Sequence, residues 1–192
     1  MDIYEPREDS FLLQKFVKKL AKGTVLDMGT GSGIQAATAA ASKKVVKVYG
    51  LDINEDAIVH CVRTHRSKKL KFVQSDLFSV FRRYKVYDRI QFDMITFNAP
   101  YLPTDSSYPD VALDGGKLGH ELVCKFLKGV GAYLKPRGTI LLLFSSLTGR
   151  ERVDACLFKY GWRFKEIGTE HVGFEDLIVY SITSTGERHG SA

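Results

Sequence analysis

The segment Asp27-Met28-Gly29-Thr30-Gly31-Ser32-Gly33 narrows what this chain can fold into more than any other stretch. It follows the run Thr24–Met28, which reads as a strand, and precedes small residues from Ile34 to about Ser42, which read as a helix. Alternate glycines permit positive φ and let another group come close to the backbone. The segment therefore predicts a strand–turn–helix junction in an α/β sheet, with a loop that faces a ligand. A dinucleotide fingerprint needs its third glycine one residue further on, where Ile34 stands. No lysine follows in the manner of a phosphate-binding P-loop either.

The rest of the chain alternates in the same way. Phe11, Leu12, Phe16, Val17 and Leu20 share one face of a helix over 10–20, which Asp9 or Ser10 can cap. Further strands are predicted over 47–52, 71–74, 92–97 and 139–144, and helices over 55–66, 118–134 and 150–160. The last two strands, near 162–168 and 176–183, have no helix between them and should pair as a hairpin. A loop over 99–117, rich in Pro, Asp, Ser and Gly, is long enough to be functional. The expected architecture is one domain over 1–183, opening with a helical lid segment over 1–22 and closing with a flexible tail over 184–192.

Composition removes several classes. No apolar run approaches the ~18 residues of a membrane span. Acidic residues near the amino terminus do not read as a secretion signal. Cys61, Cys124 and Cys156 are far apart and lack C-x-x-C spacing, so neither a zinc site nor a disulfide is expected. A reducing, cytoplasmic setting follows. The excess of 28 Lys and Arg over 22 Asp and Glu suits an acidic partner and also many proteins without one.

Two more acids fall in register with the glycine loop. Asp52 ends the second strand, where a carboxylate accepts hydrogen bonds from a ribose diol. Asp76 lies just past the third strand, where it can meet an adenine amine while Leu77 packs on the ring. The set resembles class I S-adenosylmethionine-dependent methyltransferases along nearly the whole chain. That resemblance implies a Rossmann-like, seven-stranded, mostly parallel sheet with an antiparallel last strand and helices on both faces. It also implies a cofactor site of Asp27, Gly29, Gly31, Gly33, Asp52, Asp76 and Leu77, with Asp27 toward the amino-acid portion of S-adenosyl-L-methionine.

Asn98-Ala99-Pro100-Tyr101 follows the fourth strand. A planar amide or aromatic amine has a delocalised lone pair and is a poor nucleophile. Acceptors from the Asn98 side chain and the Ala99 carbonyl can bind its two N–H bonds, orient it and stabilise the developing positive charge. Pro100 stiffens the turn and Tyr101 stacks on the flat group. The four residues resemble the N-P-P-Y motif of enzymes that methylate such nitrogens. Ala99 departs from the usual proline: the carbonyl stays, and φ is less constrained.

Tyr4-Glu5-Pro6-Arg7-Glu8-Asp9-Ser10 and Asp114-Gly115-Gly116 are similar to segments of the HemK-type protein glutamine methyltransferases, in their eukaryotic and archaeal branch. In that branch the pair corresponding to Asp9 and Ser10 closes over the cofactor. The resemblance implies a substrate, the glutamine of a Gly-Gly-Gln motif in a class I peptide-chain release factor. It also implies a small zinc-binding activator as partner. Lysine, or an adenine or guanine amino group in RNA or DNA, is the alternative acceptor, with the basic residues of 43–83 as phosphate contacts. A non-catalytic binding module is a further alternative. His60, His65, His120, His171 and His189 have no metal-like spacing, and Trp162 reads as core.

Overall fold

The computed structural model describes residues 3–87, 89–100 and 119–185. In chain order the elements are α1 (Glu8–Leu20), β1 (Gly23–Met28), α2 (Ile34–Ala41), β2 (Val45–Asp52), α3 (Glu55–Thr64), β3 (Leu70–Gln74), α4 (Ser79–Arg83), β4 (Phe92–Asn98), α5 (Glu121–Gly129), β5 (Leu134–Ser145), α6 (Arg150–Lys159), β6 (Trp162–Val172) and β7 (Glu175–Ser184). The strands form one seven-stranded sheet in the order β3-β2-β1-β4-β5-β7-β6. β1 to β5 are parallel where they pair, and β7 runs antiparallel to both β5 and β6.

Alternation along the central strands builds a core on each face. Val25, Met94, Leu141, Leu143 and Val179 join Leu13 and Val17 of α1 and Ala36 and Ala39 of α2. Their neighbours Leu26, Ile95, Leu142 and Tyr180 point the other way, onto Val123 and Phe126 of α5 and Val153 and Leu157 of α6. Side chains in a strand alternate faces, so a slip of one residue would exchange the two cores. The order reverses between β1 and β4, and a crevice at the carboxyl ends of the strands forms at such a point. Met28 pairs with Phe97 there, which sets the start of the glycine loop beside Asn98.

Several expectations need correction. Arg7, with extended backbone, precedes α1, and no side chain caps that helix. Asp9 and Ser10 are instead buried within its first turn. The helix expected to reach 134 ends at Gly129, and β5 begins at Leu134 rather than Thr139. Phe92 pairs with Leu134 while Met94 pairs with Thr139, so residues 135–138 bulge out of the strand. Asp93 holds that bulge, accepting from Lys135 Nζ and from the Thr24 N–H, both at 2.7 Å. Pro136 is tolerated because a bulge asks it for no ladder N–H. The short helix α4 was not anticipated. β7 takes Ser184 from the expected tail, and residues 186–192 lie outside the described residues.

The cysteines also differ from expectation. Cys124 of α5 and Cys156 of α6 are joined in a disulfide, their Cα atoms 5.6 Å apart. Both helices pack on the same face of the sheet, which brings together thiols separated by 32 positions. Trp162 is core as expected, its Nε1–H donating to the Leu127 carbonyl at 3.1 Å. Among the described residues no helix is long and apolar enough to cross a membrane.

Candidate active site

The glycine loop leaves β1 with Gly29, Gly31 and Gly33 all at positive φ, 61°, 52° and 82°. A side chain at Gly33 would be strained in this region, and it would collide with His65 and Cys61 at the end of α3. Those two residues clamp the loop. The Cys61 thiol donates to the Gly31 carbonyl at 3.2 Å, and His65 Nε2 sits 2.8 Å from the Ser32 carbonyl. A carbonyl only accepts, so that ring nitrogen carries the proton. Burial, then the Asp27 and Asp52 carboxylates, push the Cys61 thiol up to about 12, so it stays a protonated donor. Sequence reasoning set both residues aside. Their i, i+4 spacing, which places them on one helical face, was the available signal.

Asp27 lies beneath the loop, 2% exposed. Its Oδ2 accepts from Thr30 Oγ1 at 2.7 Å and from the Ala36 N–H at 3.1 Å, and its Oδ1 accepts from Thr96 Oγ1 at 2.8 Å. Burial raises its carboxyl to about 6, against the pull of these three donors. Its carboxylate ties the loop, the start of α2 and β4 together from inside.

Asp52 ends β2 as expected. Its Oδ2 accepts from the Gly31 N–H at 2.8 Å and its Oδ1 from the Asn54 N–H at 2.9 Å. Each oxygen keeps a further lone pair for a hydroxyl. Asp76 does not stand alone at the crevice: both its oxygens lie 3.2 Å from Lys125 Nζ of α5. That pair is exposed on both sides and contributes little to stability. Leu77 beside it carries a left-handed φ of 45°, unusual for a branched residue, with its carbonyl held by the Ser75 hydroxyl at 2.7 Å.

At the end of β4, Asn98 Nδ2 donates to Asp9 Oδ2 at 2.7 Å. The Tyr4 hydroxyl donates to the same oxygen at 3.0 Å, and Asp9 Oδ1 accepts from the Ser10 N–H at 2.6 Å. Asn98 Oδ1 is buried with no hydrogen-bond partner among the described residues. Ala99 is 1% exposed, and its N–H donates to the Leu143 carbonyl at 3.1 Å. Proline could not make that bond, so the departure from the usual motif is matched by an extra rung between β4 and β5. Ladder pairing thus restrains the Ala99 backbone where a proline ring otherwise would.

Tyr4 lies over Gly31, close enough that a side chain on the glycine would touch it. Ser10 is buried, and its carbonyl accepts from Gln35 Nε2 at 2.7 Å. Gln35 Oε1 is a second buried acceptor without a partner among the described residues, in a residue that sequence reasoning passed over. The structure thus brings Asp9, Ser10, Gly31, Asp52 and Asn98 to one edge, with Pro100 half-buried just beyond. Tyr101 and the segment 114–116 lie outside the described residues.

Comparison with known proteins gives a consistent picture. The methyltransferase small domain matches residues 8–160. A Methanocaldococcus jannaschii chain bearing the name protein N5-glutamine methyltransferase is 35% identical over 185 residues, covering 93% of this chain and 90% of its own. Human methyltransferase HEMK2 is 27% identical over 195 residues, covering 96% and 91%. Among solved structures, the E. cuniculi Mtq2–Trm112 complex, described as responsible for methylation of the eRF1 translation termination factor, superposes with a TM-score of 0.73. It shares 25% identity and covers 96% of this chain and 100% of that one.

Proposed function

We propose, from the premise that this chain belongs to the methyltransferase small domain family and within it to the protein N5-glutamine methyltransferases, that it methylates the glutamine side-chain amide in the Gly-Gly-Gln motif of a class I release factor. The observation that carries the reading is the Asn98 amide. Its nitrogen donates to Asp9, and among the described residues its buried oxygen accepts nothing. A buried acceptor without a donor costs about 1–3 kcal/mol, and persists where a ligand supplies the missing hydrogen bond. The N–H of a primary amide is such a donor.

The residues at the edge fit S-adenosylmethionine. Gly29 and Gly31 put no Cβ between the loop backbone and a ligand, and the Asp52 oxygens retain lone pairs for a diol. When bound, this cofactor supplies an electrophilic methyl group on a sulfonium. Asn98 Oδ1 and the Ala99 carbonyl would hold the two N–H bonds of the substrate amide, turning its nitrogen toward that methyl. They would also stabilise positive charge as the C–N bond forms and the S–C bond breaks. One N–H proton would then pass to solvent water from the product nitrogen, which is far more acidic while cationic. No residue need act as a base before transfer.

The same reading carries a partner. In the E. cuniculi complex the methyltransferase is paired with Trm112, and a small zinc-binding subunit would serve here as activator. Ile53, Val59 and Val62, exposed in and just before α3, offer it an apolar surface. The enzyme would work in the cytosol, where release factors act.

The test uses tritiated S-adenosylmethionine with two acceptors side by side, a release factor containing Gly-Gly-Gln and total RNA, with any co-purified partner kept present. Label on the factor that disappears when its glutamine is replaced is the expected result. Label on RNA alone would leave the nitrogen chemistry standing and refute the protein substrate.

A further inference from the structure

An asparagine side chain can turn its amide over with little intrinsic preference, since the terminal torsion is broad and roughly two-fold. In one orientation the group at position 98 offers an acceptor to the crevice, and in the other a donor. The acceptor is wanted for a substrate that brings N–H bonds. The partner on the far side of Asn98 settles which orientation exists. Asp9 is 3% exposed and, when ionised, its carboxylate only accepts. The atom 2.7 Å from it must therefore be Nδ2, and Oδ1 is left facing away from it.

Asp9 is itself tightly held. The Ser10 N–H takes one oxygen, and the Tyr4 hydroxyl shares the other with Asn98. No lysine or arginine pairs with it among the described residues. Its place in the first turn of α1 puts it at the positive end of the helix dipole. The side chain is thus kept by donors that orient it rather than by a cation.

We propose that Asp9, braced by Tyr4, is a positioning residue that sets the polarity of Asn98 and so selects acceptors that present N–H bonds. This inference rests on the amide-methylating reading and goes beyond closure of the amino-terminal segment over the cofactor. It makes the site hostile to a carboxylate acceptor such as glutamate, whose lone pairs would meet Asn98 Oδ1. Because Tyr4 also lies over Gly31, the same side chain spans the glycine loop and the acceptor corner.

The experiment is a polarity exchange, read on whichever nitrogen acceptor the wild type labels. Asp9→Asn should lower kcat by roughly 10- to 100-fold, the range that mispositioning a reacting group produces. The affinity for S-adenosylmethionine, measured by calorimetry without acceptor, should change by no more than about threefold. Asn98→Asp alone should be nearly inactive, because two buried carboxylates would then face each other. Combining the two substitutions restores a donor against an acceptor with the roles reversed, and should be at least about tenfold more active than Asn98→Asp alone. Tyr4→Phe should lose less than Asp9→Asn, again in kcat.

No recovery in the double variant, with cofactor binding intact, overturns the proposal. So does an Asp9→Asn enzyme whose only defect is weaker cofactor binding. Failure of the substrate reading looks different: the wild type itself then leaves the release factor unlabelled.

Discussion

The glycine loop and the Asn98 corner leave neighbouring strands, yet they treat their polar groups in opposite ways. Around the loop, Asp27 accepts three hydrogen bonds, Asp52 accepts two, and Cys61 and His65 hold the carbonyls of Gly31 and Ser32. At Asn98 the nitrogen is fixed and, among the described residues, the oxygen is left without a partner. A densely bonded network in a low-dielectric interior holds one shape, whereas an unpaired acceptor stores a demand that a donor from outside can meet. The first region is a frame and the second is where a reacting group is recognised. A substitution in the frame should therefore be felt in binding and stability, and one in the corner should be felt in turnover.

Asn98→Ala gives the largest effect that this contrast requires. It should lower kcat by about 100- to 1000-fold, the range seen when one preorganised group at a reacting centre is removed. The dissociation constant for S-adenosylmethionine should stay within about threefold of the wild type. A steady-state analysis beside calorimetry separates the two quantities, and a loss confined to binding would erase the distinction between the regions.

Asp27 sharpens the comparison through pH. Its folded carboxyl holds a proton up to about pH 6, against a reference value of 3.8. Between those values the folded chain binds a proton that the unfolded chain has released. Its contribution to stability is thus greatest below about pH 4 and falls, by about 3 kcal/mol in all, as the pH rises through 6. Denaturant unfolding of the wild type and of Asp27→Asn across pH 4 to 7 should show the wild type losing ground as pH rises. A difference that stays flat with pH would mean the frame does not bear this buried charge.

The smallest effect belongs to His65→Ala. Loss of one hydrogen bond to the Ser32 carbonyl is worth about 1 kcal/mol, so cofactor affinity should weaken roughly fivefold. Turnover at saturating cofactor should hold. A fall in kcat instead would show that the clamp reaches the acceptor corner.

How much of this was legible beforehand differs element by element. The glycine loop could be read because positive φ is nearly reserved to glycine, and all three glycines take it. The hairpin of β6 and β7 was legible from the missing helix between two strands. The start of β5 was hidden, because Lys135 and Pro136 read as a turn until Asp93 arrives from the neighbouring strand to hold the bulge. The Cys124–Cys156 bond was hidden for a similar reason: its spacing has no local signature, and only the packing of α5 beside α6 brings the sulfurs together.

By itself the sequence determined the alternation of strands and helices, the loop at the end of β1 and the chemistry offered by Asn98. These depend on periodicity and on backbone preferences that act over a few residues. Tertiary structure alone decided that Asp27 braces the loop from within, that Cys61 and His65 clamp it, and that Asp9 meets Asn98 from 89 positions away. Those contacts join residues far apart in the chain, and their identity depends on how helices lie against the sheet. A hydrogen bond is specified by the position of both partners, and sequence carries only what each could donate or accept.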